Sequence, residues 1–364
     1  MAKESLEEPM DMPFDAAKAE AFAEKVVSSL NGGATALMIS LGHRSGLFDC
    51  MAEMGPSSSD AIARRAGLTP RYVREWLGAM VVSGIVNNDP VKQTYVLPPE
   101  HAANLTRAAG SGNLATFAQY IGLLGTVEDL VLECFRKGGG VPYEKFGRFQ
   151  EVMAEESGMT VLPALIDSIL PLLPGGVADL QRGIDVLDVG CGSGRALNLM
   201  AKTFPNSRFL GVDISREGIA AARREAASLG LSNARFEIGD VAALDQTQRY
   251  DLITAFDAIH DQAKPRQVLA NIARALRPGG SFLMQDIGAS SHHHENQDHP
   301  VGPLLYTVSC MHCMTVSLAS GGEGLGAMWG EQKARELLAE AGFRDVTLHR
   351  LPHDIQNWYY VVRS

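Results

Sequence analysis

Few residues of this chain could cross-link it or carry it across a membrane. Five cysteines occur among 364 residues, a small and odd number that is most simply explained by reduced intracellular thiols. No run of ~18 uninterrupted apolar residues is present, so no transmembrane helix is predicted. The stretch from Met1 to Asp15 is acidic and lacks the basic and then apolar pattern of a signal peptide. We therefore expect a cytoplasmic protein that does not enter a membrane.

Positive charge is also scarce. Lysine and arginine number 32 against 42 aspartates and glutamates, which gives a net charge of -10 at pH 7. Because phosphate binding needs a basic surface, this balance argues against nucleic acid as the main partner. Hydrophobic residues make up 46% of the chain and charged residues 20%, as in ordinary globular proteins. The length allows two or three domains.

Glycine, by contrast, is concentrated where a buried strand is predicted to end. The apolar run 186–189 is followed by Gly190, Gly192 and Gly194, and the next predicted strand ends on Asp213. Glycines let the backbone turn sharply and approach a ligand closely. An acid at the end of the next strand can accept hydrogen bonds from both ribose hydroxyls of a nucleoside. The pattern therefore predicts an α/β sheet that binds a nucleoside cofactor.

The residue two places before the first glycine indicates which nucleoside. Dinucleotide-binding loops carry G-x-G-x-x-G and place a pyrophosphate on a helix N-terminus. Here the glycine spacing is G-x-G-x-G, and Asp188 would repel a pyrophosphate but suits a cation such as an amino group. This favours S-adenosylmethionine (SAM), which carries an ammonium and a sulfonium and no phosphate. With this motif the sequence resembles the class I SAM-dependent methyltransferases.

The following segments continue the same pattern. Strands predicted at 234–238, 250–256 and 281–286 alternate with helices, which implies parallel pairing and right-handed crossovers. The turn 277–280, Arg-Pro-Gly-Gly, is typical of this family. Ligands of such sheets bind at the carboxyl ends of the strands. The acids that fall at such ends, and should converge on one cleft, are Asp188, Asp213, Asp240 and Asp257.

The resemblance implies a fold and a set of cofactor contacts. The fold is α/β, a Rossmann-like seven-stranded sheet that is mostly parallel with an antiparallel last strand, preceded by a mainly α winged-helix domain. Asp213 would hold the ribose, the glycines would admit the methionine portion, and Asp240 with Val241 would hold adenine. S-adenosylhomocysteine (SAH) would be the product. The residues expected to bind the cofactor are Asp188, Gly190, Cys191, Gly192, Gly194, Asp213, Ile214, Gly239, Asp240, Val241, Phe256 and Asp257.

A histidine lies just after the fourth predicted strand of this sheet. A hydroxyl acceptor must lose a proton during methyl transfer, which calls for a base such as His260. In the plant-type O-methyltransferases that this stretch resembles, a His-Asp pair stands here, which gives His260 and Asp261 the catalytic roles. Those enzymes usually continue with tryptophan, whereas Gln262 follows here, so the acceptor class stays open. The alternative is a loop histidine near the adenine edge with no proton to move.

The front of the chain carries a second pattern. Residues 56–97 predict a short helix, a turn, a second helix, and a hairpin with its turn at 87–90, which together form a winged helix. The second helix is expected to begin near Pro70. Residues that share one face of that helix are Tyr72, Val73, Trp76, Leu77, Met80 and Val81.

Two interpretations of the winged helix compete. DNA binding would use four arginines, which form a weak electrostatic footprint on an acidic chain. Many small-molecule O-methyltransferases carry an N-terminal winged helix that serves dimerisation, and the resemblance favours this alternative. The helix predicted over 17–45 would then be buried in a homodimer. The apolar stripe expected on it is Ala34, Leu37, Met38 and Leu41, and the four arginines are Arg64, Arg65, Arg71 and Arg74.

Two further segments are candidates for the acceptor site. Residues 106–180 are mostly helical in pattern, followed by a linker at 171–183, and their aromatic residues either pack in a core or form one wall of an apolar pocket. Residues 287–330 are longer than a simple strand-helix connection and are expected to form a lid. The alternatives for this lid are a solvated loop or a metal site. The side chains expected to face the acceptor are Tyr143, Phe146, Phe149, Tyr306, Met311 and Trp329.

No metal is predicted, because adjacent histidines in the run 292–299 cannot all face one ion. The division expected is an N-terminal helical and winged-helix domain over 1–105, a helical linker and pocket segment over 106–180, and a SAM-binding domain over 181–364.

The function predicted from these patterns is a SAM-dependent methyltransferase, homodimeric, acting on a small-molecule hydroxyl. One alternative is a thiol or metalloid S-methyltransferase that binds its acceptor through Cys310 and Cys313. The other alternative is a SAM-sensing, DNA-binding transcriptional regulator.

Overall fold

The computed structural model describes residues 13–364, so most of the acidic N-terminal stretch lies outside the described part. Contacts divide the chain into a unit that ends at Pro98 and a unit from Pro99 to Ser364. The three-part functional division stays a prediction. The α-helices are α1 Ala16–Arg44, α2 Leu47–Ala52, α3 Ser59–Ala66, α4 Pro70–Val82, α5 Pro99–Leu105, α6 Ala118–Gly125, α7 Glu128–Lys137, α8 Phe149–Ala164, α9 Gly176–Arg182, α10 Arg195–Thr203, α11 Arg216–Ser228, α12 Pro265–Ala275, α13 Gly302–Val308, α14 Met314–Ala319 and α15 Gly330–Glu340.

Shorter helical segments and strands complete the elements. The 3-10 segments are Arg107–Gly112, Leu114–Thr116, Tyr143–Lys145, Leu170–Leu172, Val241–Ala243 and His293–Asn296, and the π-helical turns are Leu165–Ile169 and Ser309–Cys313. The strands are β1 Asn87–Asp89, β2 Thr94–Val96, β3 Asp185–Val189, β4 Arg208–Asp213, β5 Ala234–Ile238, β6 Tyr250–Phe256, β7 Leu276–Ile287, β8 Asp345–His349 and β9 Asn357–Arg363.

The first unit is a winged helix, as predicted. The Ser58 hydroxyl caps α3 by accepting the N–H of Ala61, and Gly67 ends that helix in the left-handed conformation. The predicted apolar face of α4 is confirmed for Val73, Trp76, Leu77 and Met80, which are buried, whereas Tyr72 is 79% exposed. Tyr72 lies one position before Val73, the first buried residue of this face. On a helix with 3.6 residues per turn, that step places Tyr72 on the side that faces solvent.

The turn of the hairpin lies at 90–93, three residues later than the predicted 87–90. Asn87, Asn88 and Asp89 form strand β1 rather than the turn, and they pair antiparallel with β2. The Asp89 carboxylate accepts the N–H groups of Val91 and Lys92, both at 3.0 Å. This side-chain cap stabilises the turn at 90–93, where Gln93 adopts a positive φ of 53°. The prediction of a turn at 87–90 was therefore wrong, because Asn87 to Asp89 pair in the hairpin and Asp89 caps the turn that follows.

The second unit contains a seven-stranded sheet with the order β5-β4-β3-β6-β7-β9-β8. Strands β3 to β7 pair in parallel, while β9 is antiparallel to both β7 and β8. The predicted fold class is confirmed, including the antiparallel last pair. The strand order reverses between β3 and β6, and ligands of such sheets bind outside the carboxyl ends of the strands at that point.

Two hydrophobic clusters cover the two faces of this sheet. One cluster packs α12 and α15 against β6 and β7, around residues such as Ile253, Leu269 and Leu338. The other packs α10, α11 and the end of α8 against the opposite face, with Leu197 and Ile219 fully buried. Each of these helices buries one apolar stripe, as their 3.6-residue periodicity predicts. The sheet is thus held rigid from both sides, and its strand ends become fixed points.

Two local predictions need correction. The segment 171–183 is not a plain linker, because α9 forms within it and buries Leu180. Strand β7 begins at Leu276, so the Arg-Pro-Gly-Gly segment is part of this strand rather than a turn before it. The pairing of β7 with β6 shifts its register between Tyr250 and Leu252 of β6. Gly279 accommodates this irregularity with a φ of 81°.

In the chain from residue 13 onwards, no one helix is sufficiently long and apolar to cross a membrane, although a bent pair, Phe149–Leu172 with Gly176–Arg182, meets the length and composition criteria jointly.

Candidate active site

The glycine loop after β3 has the backbone that its sequence predicts. Gly190, Gly192 and Gly194 all have positive φ angles, of 67°, 51° and 69°. A Cβ at Gly190 would lie 2.5 Å from Cβ of Ala258, and one at Gly194 would lie 2.5 Å from the Phe236 ring. Side chains at these two positions would collide with their neighbours, so the loop can lie against the sheet only with glycine there.

The acid at the end of β4 organises this loop. Oδ2 of Asp213 accepts the N–H of Gly192 at 2.8 Å, and Oδ1 accepts the N–H of Ser215 at 2.7 Å. Each carboxylate oxygen has a second lone pair. Asp213 therefore remains able to accept two further hydrogen bonds, as a ribose diol would require. Ile214 follows it and is 71% exposed, which leaves an apolar surface beside this carboxylate.

Asp188 is buried under the loop. Its Oδ1 accepts a hydrogen bond of 2.7 Å from Oγ1 of Thr254 on the neighbouring strand β6. Burial raises the pKa of Asp188 to about 7, a rise to which Asp213 adds and which the Thr254 hydrogen bond opposes. A cation placed beside Asp188 would favour its ionised form.

The remaining predicted cofactor residues line the same strand ends. Asp240 is exposed, and its carboxylate accepts the N–H of Ala242 at 2.8 Å, while Val241 is buried in the sheet core. Gly239 and Phe256 are half-buried, and Cys191 lies half-buried against Gly211. Burial raises the pKa of the Cys191 thiol, so that residue is no nucleophile.

Asp257 has an unusual backbone and an unpaired oxygen. It follows β6 with a φ of 49°, a region that residues other than glycine seldom adopt. Its Oδ2 accepts from Nε2 of Gln285 at 3.3 Å, whereas its buried Oδ1 has no hydrogen-bond partner within residues 13–364. Burial and the Asp286 charge raise the pKa of Asp257 well above its usual range. Strained residues with orphaned polar atoms concentrate at functional sites.

His260 is buried, and its partner is Asp286 rather than the adjacent Asp261. Nδ1 of His260 donates to Oδ1 of Asp286 at 2.7 Å. The same oxygen accepts Nε1–H of Trp329 at 3.0 Å and the N–H of Ile287 at 2.8 Å. Asp286 lies at the end of β7, next to the end of β6, so parallel pairing brings it beside the loop that carries His260. The hydrogen bond to Asp286 occupies Nδ1 and leaves Nε2 as the other ring nitrogen, and the side chain of Cys313 also hydrogen-bonds the His260 ring.

The charges around His260 determine its protonation. Burial alone would lower the pKa of His260, but Asp286 and the neighbouring Cys313 thiol raise it well above its usual range. Burial also raises the pKa of Asp261 to about 6, against the opposing effect of His260. A second cation beside His260 would lower its pKa, because like charges disfavour ionisation.

An aromatic wall lies near His260. We use this name for Tyr143, Phe146, Phe149 and His312. Phe146 and Phe149 are buried, and Tyr143 is half-buried. All three rings contact the ring of His312. The centroid distances are 3.3 Å for Phe149, 4.6 Å for Phe146 and 5.6 Å for Tyr143. Met311 packs against the same cluster. The structure thus brings together four of the six predicted acceptor residues.

The other two predicted acceptor residues lie elsewhere. Trp329 is buried in the sheet core and holds Asp286. The Tyr306 hydroxyl accepts Nδ2–H of Asn296 at 3.0 Å, in a cluster formed by the predicted lid itself. Their contact with an acceptor stays a prediction. In this lid His292, His293 and His294 are exposed, whereas the helical run α13, the π-turn and α14 is largely buried.

Side chains that could bind a metal ion also lie around His260. Across residues 13–364, one group brings ligand atoms within 4.8 Å of each other, namely Asp257, His260 and Asp286. Nδ1 of His260 and Oδ1 of Asp286 are already hydrogen-bonded to each other, so a metal ion bound there would have to replace this hydrogen bond. All five cysteines are free, and Cys313 lies against His260.

Asp286 and His312 are two residues of this site that were not predicted from the sequence. Asp286 carried a usable signal, since it is an acid at the carboxyl end of a central strand, like the four acids that were selected. His312 lies on the π-turn, and nothing in the local sequence predicts that turn.

Comparison with known proteins agrees with this geometry. Residues 180–342 match the profile of a methyltransferase domain, and residues 33–107 match the Rv2258c-like winged HTH domain. The fold is thus that of the Rossmann-like methyltransferases. More specifically, the chain combines a segment similar to an Rv2258c-like winged domain with a following segment similar to a methyltransferase domain.

Individual proteins are similar to this chain either in sequence over part of its length or in fold over nearly all of it. Trans-aconitate 2-methyltransferase of Variovorax paradoxus is 36% identical over 107 residues, which is 29% of this chain and 39% of that protein, so the match spans well under half of the relative. Mitomycin 7-O-methyltransferase MmcR has a TM-score of 0.71 at 17% identity, with 96% of this chain and 100% of that chain covered. Human N-acetylserotonin methyltransferase in complex with SAM has a TM-score of 0.68 at 18% identity, covering 97% and 99%. At these identities the structures show the shared fold.

The Asp286→Asn variant tests the pairing of Asp286 with His260. Removal of the carboxylate charge leaves burial as the main influence, so the pKa of His260 should fall by ~1–3 units. NMR titration of the histidine ring nitrogens, assigned with a His260→Ala sample, measures this shift. Asp298→Asn, at an exposed acid of the lid, is the control and should leave it unchanged. An unaltered His260 titration in Asp286→Asn would contradict the pairing.

Proposed function

We propose that this protein is a SAM-dependent methyltransferase that methylates a hydroxyl oxygen of a small molecule, with His260 as general base. The observation that carries the proposal is the placement of a buried His260–Asp286 pair beside the glycine loop and Asp213. The methyltransferase-domain match supports the reaction class, and the O-methyltransferases among the structural relatives support oxygen as the acceptor atom. We also expect a cytoplasmic location.

The donor set at the strand ends fits SAM. Asp213 offers two free lone pairs for a ribose diol, and Asp188 offers a buried carboxylate for an ammonium. The open space that a Cβ would occupy at Gly192, with no atom within 4 Å, suits close approach of a ligand to the backbone. Asp257 has a buried oxygen without a partner and faces the same strand ends. When bound, SAM supplies the electrophilic methyl group.

The chain's own residues supply orientation and a proton acceptor. Asp286 holds Nδ1 of His260, so Nε2 is the nitrogen that would accept the proton of a hydroxyl, in place of the ring's hydrogen bond with Cys313. The raised pKa of His260 makes it cationic without ligands, and a cationic cofactor beside it lowers that pKa toward neutrality. Turnover should therefore increase with pH until His260 is neutral.

The two alternative functions receive less support. An S-methyltransferase would bind its acceptor through Cys310 and Cys313, but the side chain of Cys313 contacts the base itself and is 5% exposed. A DNA-binding regulator would need a basic surface on the winged helix. Its arginines Arg65 and Arg71 are paired with Glu53 and Glu75. Small-molecule methylation therefore remains the proposal.

Calorimetry with SAH tests the cofactor site. The wild-type protein should bind SAH, and Asp213→Asn should weaken binding by about tenfold or more, because charge-assisted hydrogen bonds to the ribose become neutral. Asp245→Asn, at an acid whose side chain is 98% exposed, is the matched control and should bind as wild type. No heat with SAH, together with uptake of NAD, would refute the proposed cofactor.

The base has a separate test. In His260→Ala, kcat for a hydroxyl acceptor should fall by ~100-fold or more, because general-base catalysis contributes that much, while SAH affinity is retained. A screen of metabolites with labelled SAM supplies the acceptor. His349→Phe, on the edge strand β8, controls for loss of an imidazole elsewhere. A loss of kcat below about threefold would be too small for a general base.

We further propose that α1 mediates a homodimer. This 29-residue helix carries large apolar residues that are exposed and recur at helical spacing. They are Phe22 at 66%, Val26 at 41%, Leu30 at 68%, Leu37 at 44% and Leu41 at 52% exposure. A stripe of this length exceeds what an isolated chain usually leaves in water. Gly33 lies on the same face, with no atom within 4 Å of the place its Cβ would occupy, and permits close approach of a second helix.

Sedimentation equilibrium should give a mass near twice the 39.1 kDa of one chain. Leu30→Glu places a charge in the stripe and should reduce the mass to that of a monomer. Glu24→Lys, on the opposite side of the same helix, should leave the dimer intact. Monomeric wild-type protein would contradict this proposal.

A further inference from the structure

His312 is a buried histidine that the proposed methyl transfer does not use. Its side chain is 2% exposed, and neither Nδ1 nor Nε2 has a hydrogen-bond partner within the described part of the chain. A neutral imidazole has one donor and one acceptor. Buried polar atoms are nearly always paired, so two unpaired nitrogens on one ring require an explanation.

Aromatic contacts hold the plane of this ring. Phe149 stacks on it with an interplanar angle of 6° and a centroid separation of 3.3 Å. Phe146 and Tyr143 meet it edge-on, at angles of 76° and 73°. The three rings make apolar contacts only, and they keep the imidazole from turning toward another partner.

The backbone that carries His312 is also fixed. The residue lies in the π-helical turn Ser309–Cys313, and such turns occur frequently at functional sites. Oγ1 of Thr315 accepts the N–H of Val141 at 2.8 Å, which joins this helix to the loop before Tyr143. A Cβ at Gly140 would lie 1.9 Å from the carbonyl oxygen of Thr315, so the two segments are in direct contact.

The aromatic wall lies close to His260. His260 is close enough for its charge to act on His312, and Cys313, the next residue, contacts His260. Tyr143 experiences the charges of Asp261 and Asp213. Burial lowers the pKa of His312 to about 3, so its ring stays neutral and offers one donor and one acceptor at any working pH.

We propose that His312 determines acceptor specificity by hydrogen bonding an uncharged polar group on a planar ring system whose hydroxyl is methylated. This inference rests on the proposed function. The stacked rings favour a flat acceptor. The neutral imidazole supplies hydrogen bonds without a counter-charge. A polar group of the acceptor would then form the hydrogen bond that the ring nitrogens lack within residues 13–364.

Calorimetry on the SAH-saturated protein tests the proposal with matched planar probes. 2-Naphthol carries a hydroxyl alone, 6-hydroxyquinoline adds a ring nitrogen, and 2,6-dihydroxynaphthalene adds a second hydroxyl. Wild type should bind at least one of the two polar probes about tenfold more tightly than 2-naphthol, the effect of one buried hydrogen bond. His312→Phe preserves the stack and should abolish this preference while leaving 2-naphthol affinity unchanged.

Two further variants separate recognition from packing. His312→Asn keeps a donor and an acceptor and should retain part of the preference, whereas a purely structural role would change all three affinities together. His349→Phe should behave as wild type. Absence of SAH binding would contradict the proposed function itself. SAH binding with no probe bound, with no preference in wild type, or with the preference intact in His312→Phe would overturn the role of His312 alone.

Discussion

The site depends on one carboxylate oxygen. Oδ1 of Asp286 accepts hydrogen bonds from the ring of His260, the indole of Trp329 and the backbone of Ile287. These contacts join the loop after β6, the end of β7 and the residue before α15. A buried ion pair of this kind costs desolvation and adds little net stability. What it provides is orientation, since it fixes the tautomer and direction of the imidazole.

The same sheet edge gathers like charges, and this has a consequence for binding. Asp188, Asp213, Asp257 and Asp286 all follow parallel strands, so their carboxyl groups meet at one edge. Burial raises the pKa of Asp188 and Asp257, which shows that the protein alone does not compensate them. A cationic ligand would supply the missing charge. The arrangement is therefore better explained as a binding site for a sulfonium and an ammonium than as a structural network, and it costs stability that the two packed sheet faces must offset.

Sequence patterns predicted the sheet well because each strand has a local signal. β5 and β6 were placed at their observed ends, and the Ser215 cap of α11 was identified from its sequence. Local signals failed where tertiary contacts decide. The resemblance predicts Asp261 as the catalytic partner of His260, whereas the structure pairs His260 with Asp286, because adjacency in sequence does not determine which side chain reaches Nδ1. Asp286 is 26 residues from His260 and becomes its neighbour only through pairing of β6 with β7.

By itself the sequence determined the order of strands and helices, the glycine turn, and the acids at the strand ends, since these follow from periodicity and backbone freedom over a few residues. Only the tertiary structure decided which acid holds His260 and that Trp329 supports this acid. It also decided that His312 stands unpaired against three aromatic rings. The reason is physical: hydrogen bonds and ring contacts between distant segments form only once sheet pairing and a π-turn have placed them, and no local pattern records that placement.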